Sequence, residues 1–297
     1  MPKYLKEALH KFHQNVPQRP QDAPHSWNRP TYGAAVQYAI SNDISPLLPT
    51  KSATLIQKIV GTLLYCGIVV DPIMLVALGS IASHQSKATE ETYEETLWLL
   101  NYVDSHPDTT IRYHASDVVL HIHSDASNLL EPQACSRAGG HYSLSDRSPN
   151  PLLPPRTNTT LNGPIFIVSK IMSNVMASSS EAEIGSTFIN GQEAVPILTT
   201  LRELGQPQPV TPLRVNNSAA EEFANNSIKQ KQSKAIDMRF YWIKDREIQG
   251  QFLVYWKPGR TNLGGYHTKH HLIPPYVITL AMLIDSVARH HCSVKNN

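Results

Sequence analysis

Two carboxylates in this chain stand where they could bind a metal ion. Asp125 follows a strand-like run, Val118 to His123, and Glu183 stands in a serine-rich helix start. Carboxylate oxygens are the ligands that Mg²⁺ prefers. Each acid also has an ordinary structural alternative. Asp125 could be a turn or cap residue, and Glu183, three residues after Ser180, could close a capping box. Two acids alone therefore leave both interpretations open.

A pair of histidines offers a second possible metal site. His121 and His123 alternate along one strand-like run, so both would lie on the same face of a sheet. No third ligand follows at a spacing that is diagnostic of zinc. The pattern therefore favours paired core or surface histidines.

The stretch from Lys229 to Trp256 is locally basic and predicts a helix followed by a strand. Ser233 can cap the helix, Gly250 ends it, and 252–256 alternates as in a buried strand. Apolar residues recur at helical spacing, at Ile236, Phe240 and Ile243. The predicted nucleic-acid contacts are Lys229, Lys231, Lys234 and Arg239, joined by Lys244 and Arg246. These cations could contact phosphates, or they could form a solvated helix face.

Four segments, taken in order, resemble the ribonuclease H domain of copia-type retrotransposon polyproteins. They are Ser124–Ser127, Ser178–Glu183, Val215–Ser218 and Asn262–Lys269. The basic stretch also resembles a family segment, which usually reads Ser-Lys-His-Ile-Asp-Ile-Arg-Tyr-His. In the family the third segment reads Asp-Asn-Ser, and the fourth reads Asn-Leu-Ala-Asp before Thr-Lys. Here Asn216 and Gly265 stand at those two aspartate positions.

The resemblance implies a two-metal site at Asp125, Glu183, Asn216 and Gly265. Such enzymes hydrolyse the RNA strand of an RNA–DNA hybrid with two Mg²⁺ ions roughly 4 Å apart. Asn216 keeps a carbonyl oxygen but brings no charge, and Gly265 has no side chain. We therefore expect Asp125 and Glu183 to bind Mg²⁺ weakly or not at all.

Three functions follow from this resemblance. The first is a nucleic-acid-binding domain that holds RNA–DNA hybrid or other nucleic acid after losing hydrolysis. The second is an inert retrotransposon relic, and the third is a still-active, Mg²⁺-dependent ribonuclease H. The sequence leaves open whether the chain is an enzyme.

The elements around these residues predict an α/β fold. Strand-like runs occur at 118–123, 138–145, 163–170, 213–215 and 252–256, and a helix at about 181–204 would supply a parallel crossover. The resemblance implies that they form a mixed five-stranded ribonuclease H-like sheet flanked by helices. Four prolines in 148–162 exclude a helix or a central strand there, so we expect an exposed, mobile loop.

The first third resembles the end of a copia-type reverse transcriptase. Its helix-like runs are 2–12, 58–65, 73–82 and 89–105, and the last three would pack as a small thumb-like bundle. No Tyr-Val-Asp-Asp motif occurs, so we do not expect DNA synthesis. The predicted divisions are a polymerase remnant at 1–112, a ribonuclease H-like domain at 113–271 and a divergent tail at 272–297. An intact reverse transcriptase subunit is an expected partner.

Composition agrees with an intracellular protein. The net charge of +2 is too small to indicate nucleic-acid binding by itself. Three cysteines share no spacing motif, which argues against disulfides and zinc. No run reaches about 18 apolar residues, so we expect no membrane segment and a cytoplasmic or nuclear location. An apolar run at 273–284 predicts a short packed helix or a non-homologous end.

Overall fold

The computed structural model describes residues 2–12, 20–26, 43–131, 134–150, 153–155, 162–218, 221–222, 234–270 and 284–285. They form two compact units. The helical unit contains the described residues up to 112 together with 270, 284 and 285, and the sheet unit contains those from 113 to 269. That the first unit derives from a polymerase, and that 272–297 is a separate tail, stays a prediction.

The helical unit is built on four α-helices: α1 Pro2–Lys11, α2 Thr50–Val69, α3 Met74–His84 and α4 Glu90–Ser105. Thr89 caps α4, because its hydroxyl accepts from Thr92 N–H while the Thr92 hydroxyl accepts from Thr89 N–H. The core of this unit includes Ile56, Leu63, Leu78 and Leu99. Burial of one apolar face of each helix therefore holds the unit together.

The described part of the predicted tail is not helical. Strand β1, Thr110–Ile111, pairs antiparallel with Ile284–Asp285, the last strand among the described residues. The expectation of a helix through 284 is therefore wrong at its end. Backbone pairing with β1 takes the place of helical hydrogen bonds there.

Helix α2 is long and apolar enough to cross a membrane when judged by length and composition alone. One such helix is weak support for a membrane span, because core helices of soluble proteins have the same properties. Ile56, Leu63 and Cys66 of α2 are buried within the helical unit. The expectation of no membrane segment stays a prediction.

The sheet unit has the mixed five-stranded sheet that the resemblance predicts. Its strands are β2 Val119–Ala126, β3 Ser136–Ser145, β4 Pro164–Met172, β5 Thr211–Val215 and β6 Phe252–Trp256. The sheet order is β4-β3-β2-β5-β6. Strands β2, β3 and β4 are antiparallel neighbours, whereas β5 runs parallel to both β2 and β6. Helices α5, Ser179–Glu203, and α6, Lys234–Ile248, flank it, and the predicted α/β fold class is confirmed.

The core of the sheet unit lies between the sheet and these helices. Leu120 and Ile122 of central β2 are buried with Leu198 of α5 and Phe252 of β6. Strand β6 is an edge strand, and its last residue, Trp256, is 42% exposed. The predicted burial of this strand is therefore wrong at Trp256, where the strand extends beyond the core that covers Phe252 and Val254.

The start of α5 decides where Glu183 points. Ser178 caps the helix by accepting from Glu181 N–H at 3.1 Å, and Glu181 in turn accepts from Ala177 N–H at 2.7 Å. The alternative in which Ser180 and Glu183 close a capping box is therefore wrong. The helix begins earlier than predicted, which places Glu183 beyond the capping residues on a buried face.

The helical unit contains a buried carboxyl group that predicts pH-dependent stability. Asp71 is fully enclosed, and its carboxyl accepts from the Tyr102 hydroxyl at 3.0 Å. Desolvation raises the pKa of Asp71 to about 6 from 3.8. The pKa of Asp71 is higher in the folded state than in the unfolded state. The contribution of Asp71 to the free energy of unfolding is therefore highest below about pH 4 and falls as pH rises towards 6.

We expect Asp71→Asn to stabilise the protein at pH 7.5 by about 2 kcal/mol, since the amide needs no ionisation and still accepts from Tyr102. At pH 4 or below, the gain should vanish. Denaturant unfolding of both proteins at the two pH values measures it. Asp108→Asn, at an exposed position of the same unit, is the matched control. A gain that is equal at both pH values would contradict this account.

Candidate acidic site

The candidate site is centred on Asp125, near the end of the central strand β2. Its side chain is 1% exposed. The Asp125 carbonyl oxygen accepts from the Ser186 hydroxyl of α5 at 2.6 Å. Asn190, one turn further along α5, donates to the Ser124 hydroxyl at 2.9 Å and to the Gly139 carbonyl at 3.0 Å. These bonds fix the end of β2 against α5 and β3.

Both oxygens of the Asp125 carboxylate accept hydrogen bonds from neutral protein groups. Asn216, which follows β5, donates its side-chain amide to Oδ1. Thr268 donates its hydroxyl to Oδ2 at 2.8 Å. The nitrogen of the Asn216 amide must face Asp125, because the reverse orientation would oppose two oxygens. A metal ligand would present an oxygen towards the ion.

Gly265 lies at the position from which a fourth carboxylate would reach this site. A Cβ atom on Gly265 would lie 3.5 Å from Asp125 Oδ2, which is an ordinary van der Waals distance. Its backbone is not left-handed, so an L side chain fits there without strain. The neighbouring Gly264 is different, since a Cβ there would lie 2.7 Å from the His123 carbonyl oxygen. The alanine that the family has at this position would therefore clash here.

Glu183 is the second acid at the site. It is 6% exposed on α5, and its Oε2 has no hydrogen-bond partner among the described residues. Desolvation raises the pKa of Glu183 well above its ordinary value, and the charge of Asp125 raises it further. Ala126 N–H and the Lys269 charge oppose this rise only in part. The environment therefore favours the neutral, protonated form of Glu183.

These donors do not fit a pair of Mg²⁺ ions. Asn216 presents a donor in place of an acceptor, Gly265 supplies no ligand, and Glu183 is held towards its neutral form. Within the described ranges, no cluster of three or more His, Cys, Asp or Glu side chains could hold a metal ion. Mg²⁺ needs several oxygen ligands in octahedral geometry, and anionic ones above all. The roles predicted for the four positions stay predictions, although the structure brings all four together.

Cations and an aromatic ring lie at the rim of the site. The Trp256 indole donates to the Asn216 carbonyl oxygen at 3.0 Å. A short 3-10 helix, Gly259–Thr261, carries the exposed Arg260, and a Cβ on Gly259 would lie 3.1 Å from the Asn216 amide nitrogen. Lys269 is exposed and acts electrostatically on Glu183. Trp256 and Arg260 were not predicted as site residues, although a parallel β5–β6 pair would have placed Trp256 beside the third segment.

The predicted basic residues are described only in part. Lys229 and Lys231 lie outside the described residues, and of Lys234 only the backbone is described, at the start of α6. Arg239 is half-buried, with its guanidinium 3.8 Å from the place of a Cβ on Gly185 of α5. Arg239 therefore packs against α5, and its phosphate contact stays a prediction.

The histidine pair has structural partners. His123 Nδ1 accepts from Leu263 N–H at 3.2 Å, which ties β2 to the fourth segment. Burial lowers the pKa of His121 to about 4, and desolvation lowers that of His123 well below its ordinary value. Both rings are therefore neutral at physiological pH.

Similarity to known proteins indicates which family the chain resembles. No protein-family model matches the chain. The retrovirus-related Pol polyprotein from transposon TNT 1-94 of Nicotiana tabacum is 25% identical over 186 residues, which cover 63% of this chain and 13% of that polyprotein. The chain is similar to a retrotransposon Pol polyprotein. The predicted resemblance to a retrotransposon polyprotein is thereby confirmed.

Solved structures of ribonuclease H proteins also resemble the chain at 12% identity. The N-terminal domain of a Mycobacterium tuberculosis protein covers 50% of this chain and 92% of its own, with a TM-score of 0.31. LC11-RNase H1 in complex with RNA/DNA hybrid covers 50% and 93%, with a TM-score of 0.33. Ribonuclease H1 from Halobacterium salinarum covers 49% and 90%, with a TM-score of 0.30. At these values the likeness does not extend to activity.

The amide at 216 predicts a metal-dependent change in stability. Asn216→Asp would set a second carboxylate against Asp125 and remove a donor from it, so we expect a loss of about 1–3 kcal/mol in the presence of a chelator. Mn²⁺ or Mg²⁺ should recover part of that loss. Thermal unfolding with chelator and with Mn²⁺ measures both effects.

The matched control is Asn217→Asp, the adjacent amide, which donates to Ser180. It should show no stabilisation by Mn²⁺. An Asn216→Asp protein as stable as the parent in chelator would contradict the role given to the amide.

Proposed function

We propose that the sheet unit is a ribonuclease H-like domain that binds RNA–DNA hybrid or related nucleic acid and no longer hydrolyses it. The observation that carries this proposal is the Asp125 carboxylate, whose two oxygens accept from Asn216 and Thr268. Two-metal hydrolysis needs carboxylates that bridge and balance two divalent ions. Here the neutral amide of Asn216 lies against Asp125 at a position where the family has a second carboxylate.

The same substitutions favour binding of a polyanion without metal. A complete acidic quartet repels the nucleic-acid backbone until cations neutralise it. In this chain Asn216 and Gly265 bring no charge, and burial raises the pKa of Glu183 above its ordinary value. The exposed side chains of Arg260 and Lys269 at the rim can contact phosphates, as can cations of α6. Similarity to a Pol polyprotein supports nucleic acid as the ligand class.

Two further parts of the proposal have a narrower basis. The intact reverse transcriptase subunit as a partner rests on the resemblance alone, and the intracellular location rests on composition. The chain spans 13% of the length of the polyprotein that it matches, so the activities of that whole protein do not transfer to it. The inert relic and the active ribonuclease H are the alternatives that the following experiments separate.

Binding should depend steeply on salt. We expect the full chain to bind a labelled RNA–DNA hybrid at about 50 mM salt and to lose most of its affinity by about 200 mM, because phosphate contacts release counterions. Replacing Arg260 and Lys269 by glutamine should weaken binding and lower the slope of log K against log salt by about 2. Fluorescence anisotropy at several salt concentrations measures both.

Lys87→Gln, an exposed lysine of the helical unit, is the matched control and should leave the slope unchanged. Undetectable binding at the lower salt would favour the inert relic.

We expect hydrolysis to be absent in the parent chain and to be recoverable when the two missing aspartates are restored. We expect no Mg²⁺-dependent or Mn²⁺-dependent cleavage of hybrid by the parent chain. Asn216→Asp combined with Gly265→Asp should restore metal binding, because a Cβ at 265 meets Asp125 Oδ2 only at an ordinary van der Waals distance. Calorimetry with Mn²⁺ compares the two proteins, and a hybrid cleavage assay accompanies it.

A third protein, which carries both new aspartates and Asp125→Asn, tests whether any recovered metal lies at this site. Turnover by the parent that disappears in Asp125→Asn would establish the active ribonuclease H instead. Equal Mn²⁺ binding by the parent and the double variant would place the metal elsewhere.

A further inference from the structure

Trp256 lies beside the acidic site on the edge strand β6. The parallel register pairs it with Val215, the residue directly before Asn216. Its indole N–H donates to the Asn216 carbonyl oxygen at 3.0 Å. The ring is therefore fixed to the same residue whose side chain binds Asp125.

The exposure of this ring is unusual for its strand. Phe252 and Val254, which lie on the same face of the strand, are buried in the core, whereas Trp256 is 42% exposed. Burying the large apolar surface of tryptophan away from water is favourable. Its polar N–H is already bonded within the fold, so a ligand needs to offer only a flat apolar face. A ring held in place also loses little conformational entropy on binding.

The surroundings of the ring indicate the chemistry of that ligand. Arg260 is exposed on the 3-10 helix that contacts Asn216, and Lys269 is exposed near Glu183. An aromatic ring next to cations is the arrangement with which proteins bind unpaired nucleic-acid strands, since the ring stacks on a base and the cations contact phosphates. Bases inside a duplex stack on each other, so an unpaired base is the one available to Trp256.

We propose that Trp256 stacks on an unpaired base, so that the domain prefers a hybrid with a single-stranded overhang to a blunt hybrid. This inference rests on the proposed nucleic-acid binding and adds to it a structural preference. Strand β6 would hold the unpaired base at the rim of the cleft, with the duplex on the side of the acidic site.

The test compares two ligands and four variants, of which three change Trp256 and one is a control. The full chain is titrated into a blunt RNA–DNA hybrid and into the same hybrid with a short overhang, labelled at the far end, without metal. We expect the native chain to bind the overhang hybrid at least about 5-fold more tightly than the blunt hybrid, because one base stacked on an aromatic ring contributes about that much affinity. In Trp256→Ala and Trp256→Leu that ratio should fall to about 1, and in Trp256→Phe most of it should remain.

Phe166→Ala is the matched control, because Phe166 is 38% exposed on β4, at the opposite edge of the sheet. It should keep the native ratio. Circular dichroism confirms that each variant is folded, and the leucine variant preserves apolar volume if alanine does not fold. Equal affinity of the native chain for both hybrids, or a ratio that survives Trp256→Leu, would overturn the stacking role and leave the proposed function standing. Failure to bind either hybrid would overturn both.

Discussion

The buried carboxylate of Asp125 holds together three segments that lie far apart in the sequence. Asn216 is 91 residues away from it, and Thr268 is 143 residues away. A buried carboxylate without hydrogen-bond donors would cost several kcal/mol. The amide and the hydroxyl satisfy both of its oxygens, and His123 and Gly264 bring the fourth segment close enough to do so. The ends of β2 and β5 and the 3-10 helix at 263–267 all depend on this arrangement.

This arrangement separates the stability of the domain from metal binding. In a two-metal site, divalent ions compensate the clustered acids, and removal of the ions leaves repulsion. Here Asn216 supplies a donor, Gly265 supplies open space, and the raised pKa of Glu183 favours a neutral side chain. We propose that the fold needs no ion at this position. The cleft that results is less negative than a complete acidic quartet would make it, and cations lie at its rim.

The sequence predicted most of the fold but only half of the site. Alternating apolar residues predicted β2 and its neighbours, and the order of the four segments predicted which residues would meet. The hydrogen bond from Asn216 to Asp125 was not predictable, because a motif comparison records only that an aspartate is absent. The edge position of Trp256 and the β1 pairing of Ile284 were missed for a related reason. Both depend on contacts between distant strands, which local periodicity does not report.

The most direct test is a crystal structure of the full chain soaked in Mn²⁺, with anomalous scattering used to locate the ions. The account predicts no anomalous peak within coordination distance of Asp125, and an Asn216 amide nitrogen in hydrogen-bond contact with that carboxylate. Two peaks roughly 4 Å apart between Asp125 and Glu183, with the Asn216 oxygen turned towards one of them, would contradict it.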